Sequence, residues 1–333
     1  MKAVQISKAN GPFEFVERPI PEVRPGTVRV KVEACGICHS DAFVKFAAFP
    51  GITLPRVPGH EIAGRVDAVG EGVVPWNVGD RVGVGWHGGH CSVCEPCRRG
   101  DFVNCNNEKI TGISHDGGYA EYVVVPAESL ARIPDGLSAE EAAPLLCAGV
   151  TTYNSLRQTG ARAGDTVAVL GLGGLGHLGV QYAHHMGFRT VALSRGADKA
   201  KLAQELGASI YIDTAAGDPA KALQDIGGAD VILATAPNAD AISAMFGGLK
   251  KRGTLMVVGA TMEPLKIPAL GLLSGKTVRG WPSGSAIDSE DTMRFSALAK
   301  IKPYLERFPL AKAEDAFNKM MSNQVRFRAV LVP

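Results

Sequence analysis

The chain has 333 residues, enough for about two domains at roughly 150 residues each, which excludes a single small disulfide-held module. Hydrophobic residues make up 46% and charged residues 20%, a composition that excludes wholesale disorder. The chain carries 35 Lys and Arg against 33 Asp and Glu, and no basic run offers a surface for nucleic acid or an anionic membrane. We therefore expect a small-molecule partner, no nucleic acid and no membrane.

Targeting and cysteine usage point to a cytoplasmic protein. Charges interrupt the first 20 residues, and no later segment offers about 18 consecutive apolar residues. The cysteines number seven, an odd count, and four of them crowd between Cys91 and Cys105. That spacing suits a metal better than disulfides in a reducing compartment.

The first part of the chain, from Met1 to about Pro144, has the pattern of a mostly β lobe. Short alternating apolar runs are separated by Gly and Pro, which is strand and turn chemistry. These runs are TVRVKVEA, EIAGRVDAVG, DRVGVGW and YAEYVVVP.

The pattern changes at about Leu145 to strands that alternate with helices. Six apolar runs follow: TVAVLG, RTVALS, SIYID, ADVILAT, GTLMVVG and TVRGW. Segments with helical spacing lie between most of them, such as LGHLGVQYAHHMG, KAKLAQELGA and AISAMFGGLKKRG, so we predict a doubly wound parallel sheet. After about Gly284 come a helix candidate, AEDAFNKMM, and a strand, RFRAVLV, which we expect to return to the first lobe.

A glycine-rich turn follows the first of these six strands and opens a helix. Its spacing, G-x-G-x-x-G, lets the backbone approach a pyrophosphate at a helix N-terminus. The same spacing in GVGWHG, residues 83–88, lacks that context and leads into the cysteine cluster. We assign dinucleotide binding to the first turn only, through Gly171, Gly173, Gly174, Leu175 and Gly176.

Two sets of metal-ligand residues stand out. Cys91, Cys94, Cys97 and Cys105 form C-x2-C-x2-C-x7-C, which predicts a closed tetrahedral site for structural zinc, with an iron–sulfur cluster as the alternative. A second set is scattered along the sequence: Cys38, His60 and Cys147. Three ligands of this type leave a position open for water or substrate, as catalytic zinc requires. Each residue of this set also has an ordinary core explanation, and spacing alone does not bring the three together.

The order of these motifs resembles a known family. The segments CGICHSD, GHEIAGRVDAVGEGV with VGDRV, the four-cysteine loop and GLGGLGHLGVQYA are similar to the zinc-dependent alcohol dehydrogenases of the medium-chain dehydrogenase/reductase superfamily. The branch with cinnamyl alcohol dehydrogenases and bacterial NADPH-linked aldehyde reductases is the most similar. The resemblance implies a GroES-like catalytic domain over residues 1–145, completed by 285–333, and a six-stranded Rossmann cofactor domain over residues 146–284.

The resemblance also implies roles for the residues around the scattered set. Cys38, His60 and Cys147 match the catalytic zinc ligands. Glu61 matches an acid that can approach the metal, and Asp41 matches the carboxylate that orients the ligand histidine. The resemblance therefore implies two zinc ions per chain, one catalytic and one structural.

Proton transfer and cofactor contacts follow from the same resemblance. Ser40 matches the hydroxyl that takes the alcohol proton, His39 a contact to the cofactor phosphate or ribose, and Arg328 an arginine on the pyrophosphate. Many members carry a histidine three residues beyond that hydroxyl, where this chain has Phe43. The outer end of the proton relay is therefore open, and His39 is the nearest titratable candidate in sequence.

The substrate pocket is implied less directly. Trp86 matches an aromatic wall of the pocket, although an ordinary core tryptophan is the alternative. Phe43, Phe46 and Phe49 hint at an apolar pocket for aromatic or medium-chain primary alcohols and aldehydes, yet such clusters are often plain core.

Cofactor preference depends on the end of the second strand of the predicted parallel sheet. NAD-preferring proteins of this fold usually have Asp or Glu there, but this chain has Ser194, followed by Arg195 and then Lys199. A hydroxyl and cations suit a 2′-phosphate, so we predict NADP(H) over NAD(H). The alternative is that the cations are ordinary surface charges and Asp198 contacts the ribose.

Two other functions remain open on the same fold. Zinc-free quinone reductases share it but lack the cysteine loop and the Cys and His ligands, and a non-catalytic NADP-binding protein would have lost the chemistry. In relatives the strand TVRGW forms the subunit contact, so the resemblance implies a homodimer or homotetramer.

Overall fold

The chain passes twice between two units in the computed structural model, which describes residues 1–333. The first unit comprises Met1–Val150 and Ser283–Pro333, and the second comprises Thr151–Pro282. The first crossing therefore comes five residues after the predicted boundary at 145, and the second two residues before the one at 284. Leu146 packs against Gly83 and Gly85, which keeps this stretch in the first unit.

The elements of the first unit before the crossing are short. The strands are β1 (Lys2–Gln5), β2 (Glu14–Glu17), β3 (Thr27–Gly36), β4 (Ile62–Val69), β5 (Arg81–Val84), β6 (His87–Gly89), β7 (Lys109–Ile110), β8 (Tyr122–Pro126) and β9 (Leu130–Arg132). The helices are α1 (Ala42–Lys45), α2 (Glu95–Arg98) and α3 (Ala139–Pro144), and a π-helical turn, Leu145–Gly149, follows α3. The next helix, α4 (Val150–Arg157), begins at the last residue of this unit and otherwise belongs to the second.

The second unit alternates strands and helices. Its strands are β10 (Thr166–Leu170), β11 (Arg189–Ser194), β12 (Ile210–Asp213), β13 (Ala229–Ala234), β14 (Leu249–Val257) and β15 (Thr277–Gly280). Its helices are α5 (Gly176–His185), α6 (Ala200–Glu205), α7 (Pro219–Asp225), α8 (Ala239–Met245) and α9 (Ala269–Leu272). The chain then returns to the first unit with α10 (Ala286–Ala299), β16 (Leu305–Pro309), α11 (Ala313–Met321) and β17 (Arg328–Val332).

The first unit is built around a seven-stranded sheet. Its order is β16-β17-β3-β4-β5-β9, and β8 also pairs with β3. Strand β3 alternates buried and exposed residues and then becomes wholly buried at its carboxyl end, as a strand that enters the core must. The expected mostly β lobe is confirmed, and the closing strand β17 returns to it, antiparallel to β3.

The second unit holds the predicted six-stranded parallel sheet. Its order is β12-β11-β10-β13-β14-β15, and all five pairings are parallel. Strand β10 is buried at every residue because helices cover both faces of such a sheet. The chain reverses direction across the sheet between β10 and β13, where doubly wound sheets bind ligands at the carboxyl ends of their strands.

One helical prediction was too long. The segment AISAMFGGLKKRG is helical only through α8 and a short turn, Phe246–Gly248, and Leu249 already begins β14. Two consecutive glycines, Gly247 and Gly248, end the helix because glycine has low helix propensity. No helix of the protein combines the length and the apolar character that crossing a lipid bilayer demands.

Candidate active site

Strand pairing in the first unit brings the scattered ligand residues together. Strands β3 and β4 are antiparallel, with Cys35 opposite Ile62, so the end of β3 lies beside the start of β4. Cys38 comes just after the end of β3, and His60 comes just before the start of β4. Cys147 comes from the π-helical turn, and its Sγ lies 3.8 Å from Sγ of Cys38.

The grouped side chains fit a zinc ion. Ligand atoms of Cys38, His60, Glu61 and Cys147 all lie within 4.8 Å of one another. Sulfurs about 2.3 Å from a tetrahedral zinc are about 3.8 Å apart, which is the separation of the two thiol sulfurs here. His60 Nε2 is buried without a hydrogen-bond partner, as a nitrogen aimed at a metal would be.

A carboxylate holds the other nitrogen of the ligand histidine. Asp41 Oδ1 lies 3.3 Å from His60 Nδ1, and both side chains are buried. Its second oxygen, Oδ2, accepts the backbone N–H of Cys38 at 2.8 Å and the hydroxyl of Tyr119 at 2.8 Å. Sequence reasoning did not single out Tyr119, because one tyrosine in a strand pattern is indistinguishable from core.

Glu61 is paired with Arg328 in the interior. The Arg328 guanidinium contacts a Glu61 carboxylate oxygen and donates to the carbonyl oxygen of Ile37 at 3.1 Å. Burial raises the pKa of Glu61 to about 7, although the charge of Arg328 opposes that rise. Arg328 thus lies in the first unit, at the start of β17, and its contact with a pyrophosphate stays a prediction.

The ligand thiols differ in their ease of ionisation. The hydrogen bond with Cys147 lowers the pKa of Cys38 well below its ordinary value, and the same bond raises that of Cys147. Burial acts to lower the pKa of His60, but the charge and hydrogen bond of Asp41 outweigh it and raise that pKa. The pair of sulfurs therefore shares one negative charge readily, which suits a cation beside them.

Ser40 and His39 occupy the short turn His39–Asp41 that follows Cys38. Ser40 is half-buried, and His39 is exposed. The turn is held at its ends, because the Cys38 N–H donates to the Asp41 side chain and the Asp41 N–H donates to the Cys38 carbonyl. Ser40 is thereby fixed next to Cys38.

An aromatic set adjoins His60. The Trp86 ring packs edge-on against His60, with centroids 5.0 Å apart. Phe49 lies 6.3 Å from Trp86 and 5.6 Å from Phe43. Phe46, by contrast, is 45% exposed and makes no ring contact with this set. The structure thus brings together Phe43, Phe49 and Trp86, and it leaves out Phe46.

The four-cysteine loop closes on itself. Cys105 Sγ lies 3.6 Å from Cys91 Sγ and 3.8 Å from Cys94 Sγ, again the spacing of sulfurs around one tetrahedral zinc ion. Backbone N–H groups, that of Val93 foremost, lower the pKa of Cys91 to about 5. All seven cysteines are free thiols, and the cluster fits a structural zinc site better than a larger iron–sulfur core.

The glycine turn lies where the sheet order reverses. Gly171 follows β10 with φ of +100°, and a Cβ on Gly176 would collide with the Gly171 carbonyl oxygen. Only glycine meets both demands, so the chain can turn sharply from β10 into α5. The exposed or half-buried Gly173, Gly174 and Leu175 present their backbone at the N-terminus of this ten-residue helix.

The end of β11 carries the predicted cofactor-discriminating residues. Ser194 is buried, and Lys199 Nζ lies 3.4 Å from its hydroxyl. Arg195 is exposed and forms no ion pair. Tyr211 steadies the turn by donating to the carbonyl oxygens of Ser194 at 3.0 Å and Gly196 at 2.5 Å.

Comparison with known proteins agrees with this geometry. Residues 24–135 match the alcohol dehydrogenase GroES-like domain, and residues 174–300 match the zinc-binding dehydrogenase family. An alcohol dehydrogenase of Penicillium expansum, patD, is 48% identical over 304 residues, covering 91% of this chain and 89% of that protein.

Solved structures share the whole fold. An alcohol dehydrogenase described as NAD-dependent superposes with a TM-score of 0.92 at 29% identity and covers 100% of both chains. A zinc-binding dehydrogenase of Sinorhizobium meliloti, solved with NADP, superposes with a TM-score of 0.90 at 30% identity, over 100% of this chain and 99% of its own. With both ligand sets in place, this chain belongs to the zinc-type medium-chain alcohol dehydrogenases.

Proposed function

We propose that this alcohol dehydrogenase interconverts apolar primary alcohols and aldehydes with NADP(H), using zinc held by Cys38, His60 and Cys147. The observation that carries the proposal is the convergence of these three side chains, with the 3.8 Å separation of the two sulfurs and the buried Nε2 of His60. A second zinc ion held by the four-cysteine loop has a structural role, because four thiolates leave no open position.

The chain supplies the ligand set and its orientation. When bound, zinc supplies Lewis-acid chemistry, which lowers the pKa of an alcohol and polarises a carbonyl. Asp41 Oδ1 lies 3.3 Å from His60 Nδ1, and this carboxylate would favour a proton on Nδ1 and leave Nε2 for the metal. Glu61 is held near the ligands by Arg328, whose guanidinium contacts one oxygen of its carboxylate.

Ser40 Oγ takes the hydroxyl proton of the alcohol and passes its own proton on. When bound, the nicotinamide of the oxidised cofactor would supply the acceptor for a hydride from the same alcohol carbon, so that the oxidation would give an aldehyde, the reduced cofactor and one proton. Phe43 has no proton-accepting group, so the proton from Ser40 would have to reach water or His39, and a bound cofactor would supply ribose hydroxyls for that transfer.

The aromatic set gives the substrate class. Phe43, Phe49 and Trp86 form a half-buried apolar wall beside His60, and a substrate tail there would exchange water for ring surface. Benzylic and medium-chain substrates match such a wall better than short polar ones.

The ligand assignment is tested by comparing Cys147→Ala with Cys35→Ala. Cys147→Ala should lose one equivalent of zinc and nearly all oxidation of benzyl alcohol. Cys35 belongs to neither cluster, so Cys35→Ala should keep the zinc content of the parent protein. Full turnover by Cys147→Ala would remove it from the ligand set.

The cofactor preference is argued from charge at the end of β11. An NAD-preferring protein would carry a carboxylate at the Ser194 position, whereas here a hydroxyl lies beside the Lys199 ammonium and Arg195 is free. Two cations and a hydroxyl provide donors for a 2′-phosphate. The related structures include both cofactor types, so the residues of this turn carry the argument.

Steady-state kinetics with NADPH and NADH on benzaldehyde test the preference. Arg195→Ala should raise KM for NADPH about tenfold and leave KM for NADH unchanged. Lys201→Ala removes an 88% exposed charge from the neighbouring helix α6 and serves as the matched control. A parent preference for NADH would contradict the proposal and favour the ribose contact by Asp198.

The sheet edge of the second unit suggests the assembly. Strand β15 is paired only with β14, and all four of its residues are exposed. Val278 is the apolar residue of this strand, and Leu270 and Leu273 are exposed in the segment that precedes it. An unpaired strand beside apolar side chains favours association with a second copy, so we propose a homodimer, which two-fold pairing could extend to a tetramer.

A further inference from the structure

Tyr119 is connected to His60 through the side chain of Asp41. It is fully buried, and its hydroxyl donates to Asp41 Oδ2 at 2.8 Å. The other oxygen of the same carboxylate lies 3.3 Å from His60 Nδ1. A short chain of polar contacts therefore runs from the tyrosine hydroxyl through one carboxylate to the ligand histidine.

The backbone around Tyr119 also grips the segment that precedes His60. The Tyr119 N–H donates to the carbonyl oxygen of Pro58 at 3.0 Å, and the Gly118 N–H donates to the carbonyl oxygen of Gly59 at 2.9 Å. Gly59 adopts a φ of +101°, and a Cβ there would lie 2.7 Å from Cε1 of the Tyr119 ring. The ring thus fills the space beside the residue adjacent to the ligand, and its position is fixed independently of its hydroxyl.

The hydroxyl has a specific electrostatic consequence. Asp41 Oδ2 receives two donors, the Cys38 N–H and the Tyr119 hydroxyl, in a site with little access to water. Without the tyrosine donor, that oxygen would keep only one hydrogen bond in the interior, and the carboxylate would be freer to rotate away from His60.

We propose that Tyr119 is a positioning residue, whose hydroxyl fixes Asp41 and through it the metal-binding orientation of His60. The inference rests on the proposed zinc site of Cys38, His60 and Cys147. Outer hydrogen-bond partners of metal ligands typically contribute about 10- to 100-fold to metal affinity, and a hydroxyl one contact further out belongs at the lower end of that range.

A plain core role would require only the ring. The Tyr119 ring packs against Phe13, with centroids 6.1 Å apart, and Tyr119→Phe keeps this packing and the backbone bonds. Because Tyr119→Phe removes only the hydroxyl, any effect of this variant on metal binding comes from the positioning of Asp41 and not from the packing of the ring.

The test measures metal release from the full-length protein loaded with cobalt(II), whose absorption reports on the ligand geometry. Tyr119→Phe should release metal from the Cys38–His60–Cys147 site about tenfold faster to a chelator and shift its absorption, with release from the four-cysteine loop unchanged. Tyr122→Phe is the matched control, because the Tyr122 hydroxyl, three residues along the same segment, makes no hydrogen bond to the protein. Equal release rates and spectra for the parent and Tyr119→Phe would overturn the inference.

A double variant tests whether Tyr119 acts through Asp41. Asp41→Asn should accelerate release more than Tyr119→Phe does, and adding Tyr119→Phe to it should cause less than a twofold further change. Multiplying effects would contradict action through Asp41. A parent protein that binds no cobalt at this site would instead refute the proposed zinc site, whereas tight binding unaffected by Tyr119→Phe refutes only the inference.

Discussion

Ser40 lies in the sequence between Cys38, a proposed zinc ligand, and Asp41, the carboxylate beside His60. The turn His39–Asp41 holds it there by hydrogen bonds at both ends, while its own hydroxyl makes no hydrogen bond to the protein. A hydroxyl that is positioned by its backbone and not engaged elsewhere is free to exchange protons with a substrate.

Ser40→Ala should reduce kcat for alcohol oxidation about 100-fold, because it removes the first proton acceptor. KM for NADPH and the zinc content should stay near the parent values, since the change deletes one oxygen that makes no hydrogen bond to the protein. Stopped-flow kinetics and metal analysis check these outcomes. A kcat equal to that of the parent would remove Ser40 from the mechanism.

His87 is a buried polar side chain whose protonation is linked to folding. Neither ring nitrogen has a hydrogen-bond partner, and the ring stacks on His90 with centroids 5.2 Å apart. Burial lowers the pKa of His87 from about 6.5 to about 4, with a smaller contribution from His90. The unfolded chain therefore binds a proton between pH 6.5 and 4 that the folded protein rejects.

This difference predicts acid sensitivity with a definite sign. The contribution of His87 to stability is constant above pH 6.5 and falls as the pH drops toward 4, by about 3 kcal/mol in all. His87→Leu should remove this dependence. The free energy of unfolding of the variant minus that of the parent should therefore increase as the pH is lowered from 6.5 to 4. Urea unfolding at several pH values measures the difference.

The side chains of both proposed zinc sites are common to the parent and His87→Leu, so their own acid sensitivity cancels in that comparison. Parallel curves for the parent and His87→Leu would contradict the predicted proton linkage.

At the scale of elements, the four-cysteine loop shows how little regular structure a metal requires. The segment between Cys91 and Cys105 contains only one short helix, α2, and its apolar residue Val93 is 74% exposed. It buries too few side chains to form a core of its own, so we expect metal coordination to stabilise its conformation.

Cys97→Ala should therefore lower the stability of the protein more than its catalytic activity. We expect the loss of one zinc equivalent and a fall in Tm of about 10 °C, because an open structural site binds metal poorly. Activity per remaining zinc should stay within about twofold of the parent below the melting transition. Calorimetry, metal analysis and turnover distinguish this variant from Cys147→Ala, and an unchanged Tm would contradict the structural role.

At the scale of the whole molecule, the metal ligands and the cofactor turn belong to different units. Both metal sets and Arg328 lie in the first unit, whereas the glycine turn and the Ser194 region lie in the second. The second unit also has the unpaired edge strand β15, so the proposed subunit contact falls on the unit that lacks the metal sites.

Val278→Asp should weaken that contact, because it adds a charge at the exposed sheet edge. Light scattering should give a dimer or larger assembly for the parent and mainly monomer for the variant at micromolar concentration. Val78→Asp, at a 68% exposed valine of the first unit, is the control and should keep the parent mass. A parent monomer, or a Val278→Asp variant of parent mass, would contradict the proposed dimer.

Much of this protein was determined by local sequence. The apolar runs predicted the parallel sheet because its central strands are buried on both faces and require continuous apolar stretches. The glycine turn was recognisable because it stands between a strand and a helix. The four cysteines predicted their own cluster, since ligands within one loop cannot lie far apart. The helix over AISAMFGGLKKRG was overextended because its glycines were not taken as a stop.

Only the tertiary structure decided which distant side chains meet. Cys38, His60 and Cys147 come together because β3 and β4 pair antiparallel and a π-helical turn brings in the third ligand. The contacts of Tyr119 with Asp41 and of Arg328 with Glu61 depend equally on the pairing of strands far apart in sequence. Residue type determines what chemistry a side chain can perform, whereas strand register determines its partners, because a shift of one residue turns every side chain to the other face of the sheet.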